Sequence, residues 1–240
     1  MNDIERQIRN ELSDCYRLFD WMGWTELIFN HITVRLPDGS GGKNGYLINQ
    51  FGTHYAEMTP EKLVAIDVDG NVLDGSNAKV NRAGFIIHSA IHSARDDAHC
   101  IMHVHTTAGC AIASKEAGLR HDNFYSAMLY GDVAYHDYEG VTTKLDEQPR
   151  LITSLGQKNH LILRNHGLLV VGPDLPTTFN RMWVLQRACE IQLASDSGHG
   201  PNRGIAKDIL EKVPETRVAS SSETYRLIFE TMLRRAGIRT

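Results

Sequence analysis

The sequence has no excess of positive charge: 25 Lys and Arg stand against 29 Asp and Glu, a formal net charge of −4. That balance gives no general attraction to nucleic acid or an anionic membrane, so neither is expected as a partner. No apolar run approaches the roughly 20 residues needed to span a bilayer. The opening MNDIERQIRNELSD has no apolar core of a secretion signal, and the expected compartment is the cytoplasm. Cysteine is sparse: Cys15, Cys100, Cys110 and Cys189 lie apart without CxxC spacing. In a reducing compartment they read as free, small apolar side chains rather than a disulfide framework or a metal-ligand set. Internal repeats, low-complexity tracts and separating linkers are also missing, so residues 1–240 are expected to form a single domain.

Histidine, by contrast, is plentiful, with 12 in the chain. The stretch His99–Gly109, HCIMHVHTTAG, reads as a short buried strand that breaks into a helix. Side chains two apart on a strand point the same way, so His103 and His105 project from one face as a two-imidazole claw. Such pairs ligate metals when a third ligand arrives from elsewhere in the chain. The best third ligand is His166, at the end of an apolar strand and before Gly167. A glycine there permits close approach of a backbone or a ligand. From spacing alone the alternative stays open: these are hydrogen-bonded core histidines.

The rest of the pattern alternates between helices and short strands. Helical spacing predicts helices over 3–22, 81–95, 107–117, 149–158, 175–194 and 222–236. Strands are expected within 27–37 and 45–49, joined by a loop over 38–45. A hairpin is expected over 63–73 with its turn at Asp69-Gly70, a pair of short strands over 128–140 around Gly131, and a strand hairpin or bend at Asn165-His166-Gly167. A flexible loop is expected over 196–204. Hairpins with helices before, between and after them predict a largely antiparallel sheet covered by helices. In the helix over 81–95, Gly84, His88 and His92 lie four apart on one stripe. His31, His54, His121, His160 and His199 read as structural or solvated.

FNHITVR near the start, LINQFGTHYAEMT, NRAGFIIHSAIHSARDDAHCIMHVHTTAG, YGDVAYHDYEG and NHGLLVVGP, in this order, resemble the class II aldolase/adducin head-domain family, most of all its adducin-like branch. The likeness runs from about residue 8 to about residue 235. It implies an α/β three-layer α/β/α sandwich around a mainly antiparallel sheet. It implies a divalent cation, zinc before manganese, iron or cobalt, on His103, His105 and His166, and a homotetramer with sites at the subunit boundaries. Two departures matter. The aldolases carry a glutamate at the position that aligns with Gly84, where glycine has no side chain to handle a proton. The small hydroxyl residues with which sugar-phosphate aldolases grip phosphate align with Phe51, Arg82 and Ala83, while Asn30 is retained. Asn30 and Arg82 are therefore the candidate substrate-binding residues, Arg82 as an anion anchor through charge-assisted hydrogen bonds.

His88, on the same stripe as Gly84, is the candidate for the absent base, with His92 one turn further. The alternative for both is packing or orientation of a metal ligand. Tyr130, Tyr135, His136 and Tyr138 form a polar-aromatic cluster, from which Tyr135 is the candidate proton donor. The expected function is a metal-dependent lyase, of aldolase or decarboxylase type, acting on a small hydroxy or oxo acid or a sugar-like substrate. Two alternatives stand beside it: a non-catalytic, adducin-like binding or assembly module, and a non-haem iron oxygenase on the same three histidines.

Overall fold

The computed structural model describes residues 2–37, 45–213 and 222–240. The N-terminal segment folds as α1 (Asp3–Trp21), one residue short of expectation. It starts where the Asn2 side chain accepts the Glu5 backbone N–H at 2.8 Å, a helix N-cap. Its apolar stripe of Leu12, Tyr16 and Phe19 is fully buried. Leu193 of the long helix α6 (Leu175–Asp196) and Phe229 and Leu233 of α8 (Ser222–Arg235), which comes after the single turn α7 (Lys207–Leu210), pack into the same core.

Among the described residues seven strands form one sheet: β1 (His31–Arg35), β2 (Tyr46–Asn49), β3 (Leu63–Ile66), β4 (Cys100–Val104), β5 (Val133–His136), β6 (His160–Leu163) and β7 (Gly167–Gly172). The order across the sheet is β3-β2-β1-β4-β7-β6-β5, antiparallel at every step except the parallel pair β5–β6. β1 lies directly against β4, in a register that sets His31 opposite His103.

Alternation along the strands builds two apolar layers. Ile32, Val34, Met102, Val104, Leu168 and Val170 face α1, α6 and α8. Ile101, Leu161, Leu169 and Val171 face α2 (Arg82–Ala94) and α5 (Gln148–Leu155), which contribute Ile87, Ile91, Leu151 and Leu155. The fold is thus α/β, helices covering both faces of a mostly antiparallel sheet. No helix among the described residues is long and apolar enough to cross a membrane.

Three local expectations are corrected. The segment 128–140 holds one strand, β5, not two. Just before it, α4 (Phe124–Ala127) forms because Asn123 and Ser126 close a reciprocal capping box. The hairpin over 63–73 keeps β3, but its return is a single bridge, Ile66 to Val72. There the Asp67 carboxylate accepts the backbone N–H groups of Asp69 and Asn71 and ties the chain into a side-chain-held turn. The helix expected over 107–117 stops early, as α3 (Thr107–Ala113), with Thr106 as its cap. At Asn165-His166-Gly167 the hairpin alternative holds: the turn joins two full strands, β6 and β7, in antiparallel pairing. Most of the loop expected over 38–45, namely 38–44, lies outside the described residues.

Candidate metal centre and its cavity

His103 is the penultimate residue of β4 and is fully buried. Its Nδ1 lies 2.9 Å from the carbonyl oxygen of Leu168 on β7. A carbonyl only accepts, so Nδ1 carries the proton and Nε2 keeps its lone pair. That Nε2 faces Nε2 of His105 at 2.7 Å, just past the end of the strand. His166 arrives from the β6–β7 turn, its ring centroid 4.8 Å from that of His103 and 4.7 Å from that of His105. One nitrogen from each of the three histidines falls within 4.8 Å of the others, and this is the group of potential ligand atoms found among the described residues.

The turn makes this convergence possible. Asn165 adopts φ +56°, a left-handed conformation that asparagine tolerates. At the next position but one, Gly167 leaves room for the claw. A Cβ there would collide with the Val104 carbonyl oxygen and stand 3.0 Å from the His105 ring and 3.3 Å from the His103 ring.

Burial, and then the neighbouring imidazoles, hold His103 well below the ordinary histidine pKa. His166 is pushed down to about 4 by burial and by His105, and burial lowers His105 as well. The three rings are therefore neutral at physiological pH, the state in which imidazole binds metal without first losing a proton. Zinc, manganese, iron and cobalt all accept such a donor set, and the fixed tautomer of His103 suits it.

Beside the group lies a cavity of about 310 Å3, lined by His105 and His166 together with Asn30, His31, Ile87 and Tyr138. Asn30 sits at φ +71° and is 1% exposed. Its Nδ2 donates to the Trp24 carbonyl at 3.1 Å, and its Oδ1 is buried with no hydrogen-bond partner among the described residues. Asn30 thus keeps an unpartnered neutral acceptor buried in the cavity wall.

The structure does not bring all the expected residues to this cavity. Arg82 is exposed on α2, with Nε donating to the Thr143 carbonyl at 2.9 Å, and is not among the residues that line the cavity. The Tyr135 hydroxyl accepts the Leu119 N–H at 3.0 Å beneath Gly118, on the far face of β5. Two residues past the strand end lies Tyr138, the phenol from that cluster that lines the cavity. His88 is fully buried and one ring behind the wall: its Nε2 meets Nδ1 of His31 at 2.8 Å.

His31, read from sequence as structural, is the residue that reaches the cavity. Its ring packs on His103 at a centroid distance of 4.9 Å and touches α2 at Gly84. A Cβ at position 84 would stand 2.6 Å from His31 Cδ2, so this ring occupies the space of any side chain there. A usable signal was present: His31 and Thr33 alternate with Ile32 and Val34, a polar stripe on an otherwise apolar strand.

The fold and the three-histidine group define a class, and comparison with known proteins agrees with it. The model for the Class II Aldolase and Adducin N-terminal domain matches residues 10–193. The chain belongs to that family. A Caulobacter vibrioides protein, provisionally named an aldolase class 2 protein, is 42% identical over 193 residues, covering 80% of this chain and 74% of that protein. Mouse alpha-adducin is 41% identical over 208 residues, covering 85% of this chain but 28% of the adducin. Among solved structures, an aldolase II superfamily protein from Pseudomonas syringae matches with TM-score 0.90 and 34% identity over 98% of this chain and 94% of that one. L-fuculose 1-phosphate aldolase from Glaciozyma antarctica matches with TM-score 0.82 and 27% identity, over 97% and 89% of the two chains.

Proposed function

We propose that the protein is a metal-dependent lyase of the class II aldolase type. It cleaves or forms a carbon–carbon bond next to a carbonyl in a small hydroxy or oxo acid or a sugar-like substrate. The observation that carries this reading is the gathering of three neutral imidazoles, within 4.8 Å of one another, at the wall of a 310 Å3 cavity. His103, His105 and His166 would hold a divalent cation, zinc before manganese, iron or cobalt. Bound there, it supplies Lewis acidity that stabilises negative charge developing on a carbonyl oxygen.

The chain's own residues do the rest. The Leu168 carbonyl orients His103, Asn30 Oδ1 accepts a substrate hydroxyl, and Ile87 supplies an apolar wall that limits water. Tyr138 is the phenol in position to return a proton. In this reading the protein is a cytoplasmic homotetramer.

One observation favours a second reading, a non-catalytic binding module: position 84, a glutamate in the aldolases, is a glycine whose space a histidine fills. The two readings separate in one experiment. Zinc-, manganese-, iron- and cobalt-loaded protein is screened with 2-hydroxy acids, 2-oxo acids and pyruvate plus aldehydes. The lyase reading expects turnover on at least one, lost in His166→Ala. Stoichiometric metal without turnover on any favours the binding module.

A further inference from the structure

Behind the cavity wall runs a buried chain of hydrogen bonds between β1 and α2. The Ala98 carbonyl lies 3.0 Å from His92 Nδ1. His92 Nε2 lies 2.8 Å from Thr33 Oγ1, and the same hydroxyl lies 2.7 Å from His88 Nδ1. His88 Nε2 then lies 2.8 Å from His31 Nδ1. All four side chains are at most 3% exposed.

A contact of this length between two nitrogens, or between nitrogen and oxygen, holds one proton. The Ala98 carbonyl has no proton to give, and this fixes every link for neutral rings. His92 Nδ1–H donates to the carbonyl, which leaves His92 Nε2 as an acceptor. The Thr33 hydroxyl has a single proton and gives it to His92, so its oxygen accepts from His88 Nδ1–H. His88 Nε2 is then an acceptor and takes the proton of His31 Nδ1–H. At the far end, Nε2 of His31 is left with a bare lone pair, on a ring that lines the cavity.

We propose that His31 is a positioning residue of this site: a relay anchored on the Ala98 carbonyl holds it as the Nδ1–H tautomer, and its Nε2 receives a hydroxyl of the substrate. The role in substrate binding rests on the function proposed above; the tautomer does not. A neutral acceptor in this wall selects a ligand end that donates hydrogen bonds. The substrate class is therefore one with free hydroxyl groups at this end, and an anionic group there would meet the His31 lone pair. Gly84 is part of the device, because any side chain would displace the His31 ring.

The tautomers can be read directly by long-range proton–nitrogen correlation spectra of the protein labelled with 15N-histidine. Wild-type His31 is expected as the Nδ1–H form alone. Thr33→Val removes the link between His88 and His92, and His31 is expected to become a mixture of both forms. An Nε2–H form in the wild type, or a tautomer unmoved by Thr33→Val, overturns the relay.

The second arm compares glycolate with acetate on zinc-loaded protein, since the two differ by one hydroxyl. The preference for glycolate is expected to fall about tenfold in His31→Phe, the usual worth of one hydrogen bond. The same direction is expected in Thr33→Val, which serves alone where His31→Phe does not fold. An unchanged preference overturns the hydroxyl-reading role. A chain that takes up no zinc, yet gives the expected tautomers, overturns the lyase reading and upholds the relay.

Discussion

At the scale of single residues, the site is shaped as much by two glycines as by the histidines they accommodate. Gly167 gives the His103–His105 claw room, and Gly84 lets the His31 ring lie against α2. Neither has a positive φ, so the requirement is space rather than backbone freedom. Gly84→Ala is expected to push the His31 ring off its relay and to cost about 1–3 kcal/mol of stability, the usual range for overpacking a filled interior. Urea unfolding measures it; an unchanged midpoint and slope would show that the ring has space to yield. The same scale separates Tyr135 from Tyr138. Side-chain alternation sends the Tyr135 hydroxyl to the Leu119 N–H, and the segment after β5 brings Tyr138 to the cavity.

At the scale of elements, β1 and α2 are joined by polar contacts where most such interfaces are apolar. His31 and Thr33 on the strand meet His88 and His92 on the helix. Burial drives both helix histidines down, His92 to about 3, with His31 and His92 adding to the effect at His88. Folded, these rings refuse a proton that the unfolded chain takes up near pH 6.5. The unfolded state then binds more protons, so stability is full above about pH 6.5 and falls as pH drops toward the folded values. Each group contributes a slope of about 1.4 kcal/mol per pH unit in that window. Metal-free protein is therefore expected to lose about 1–3 kcal/mol between pH 7.5 and 5.5 in urea unfolding. A pH-independent midpoint over this range would contradict the buried, neutral state of these histidines.

The elements also show what a sequence conveys. Helical spacing was enough for α1, α2, α6 and α8, each within two residues at either end, because their buried faces recur every three to four residues. The HxH strand and the turn histidine were legible because strand alternation and a following glycine are local signals. The neighbour of β4 was not: that β1 lies beside it, with His31 opposite His103, is a matter of sheet order and register, which no local pattern encodes. For that reason His31 looked structural while His88, one ring deeper, looked exposed to the site. The expected strand before Gly131 failed for a similar reason, since the capping box at Asn123 outweighed the apolar run that follows it.

At the scale of the whole molecule, the sheet order brings together residues more than 130 apart in sequence: Asn30 and His31 from β1 and the residue before it, His103 and His105 from β4, His166 from the turn into β7. Two helical layers close over this line and leave one cavity beside it, bounded by α2 and the loop after β5. Family membership, fold and the three-histidine group agree on where chemistry would occur. The measurement that tests this most directly is the zinc content of the purified protein after equilibration with zinc and removal of the excess, for wild type, His103→Ala and His166→Ala. The account predicts one zinc per chain in the wild type and none retained by either variant, with helix content unchanged by circular dichroism. Stoichiometric zinc in either variant, or none in the wild type, would contradict it.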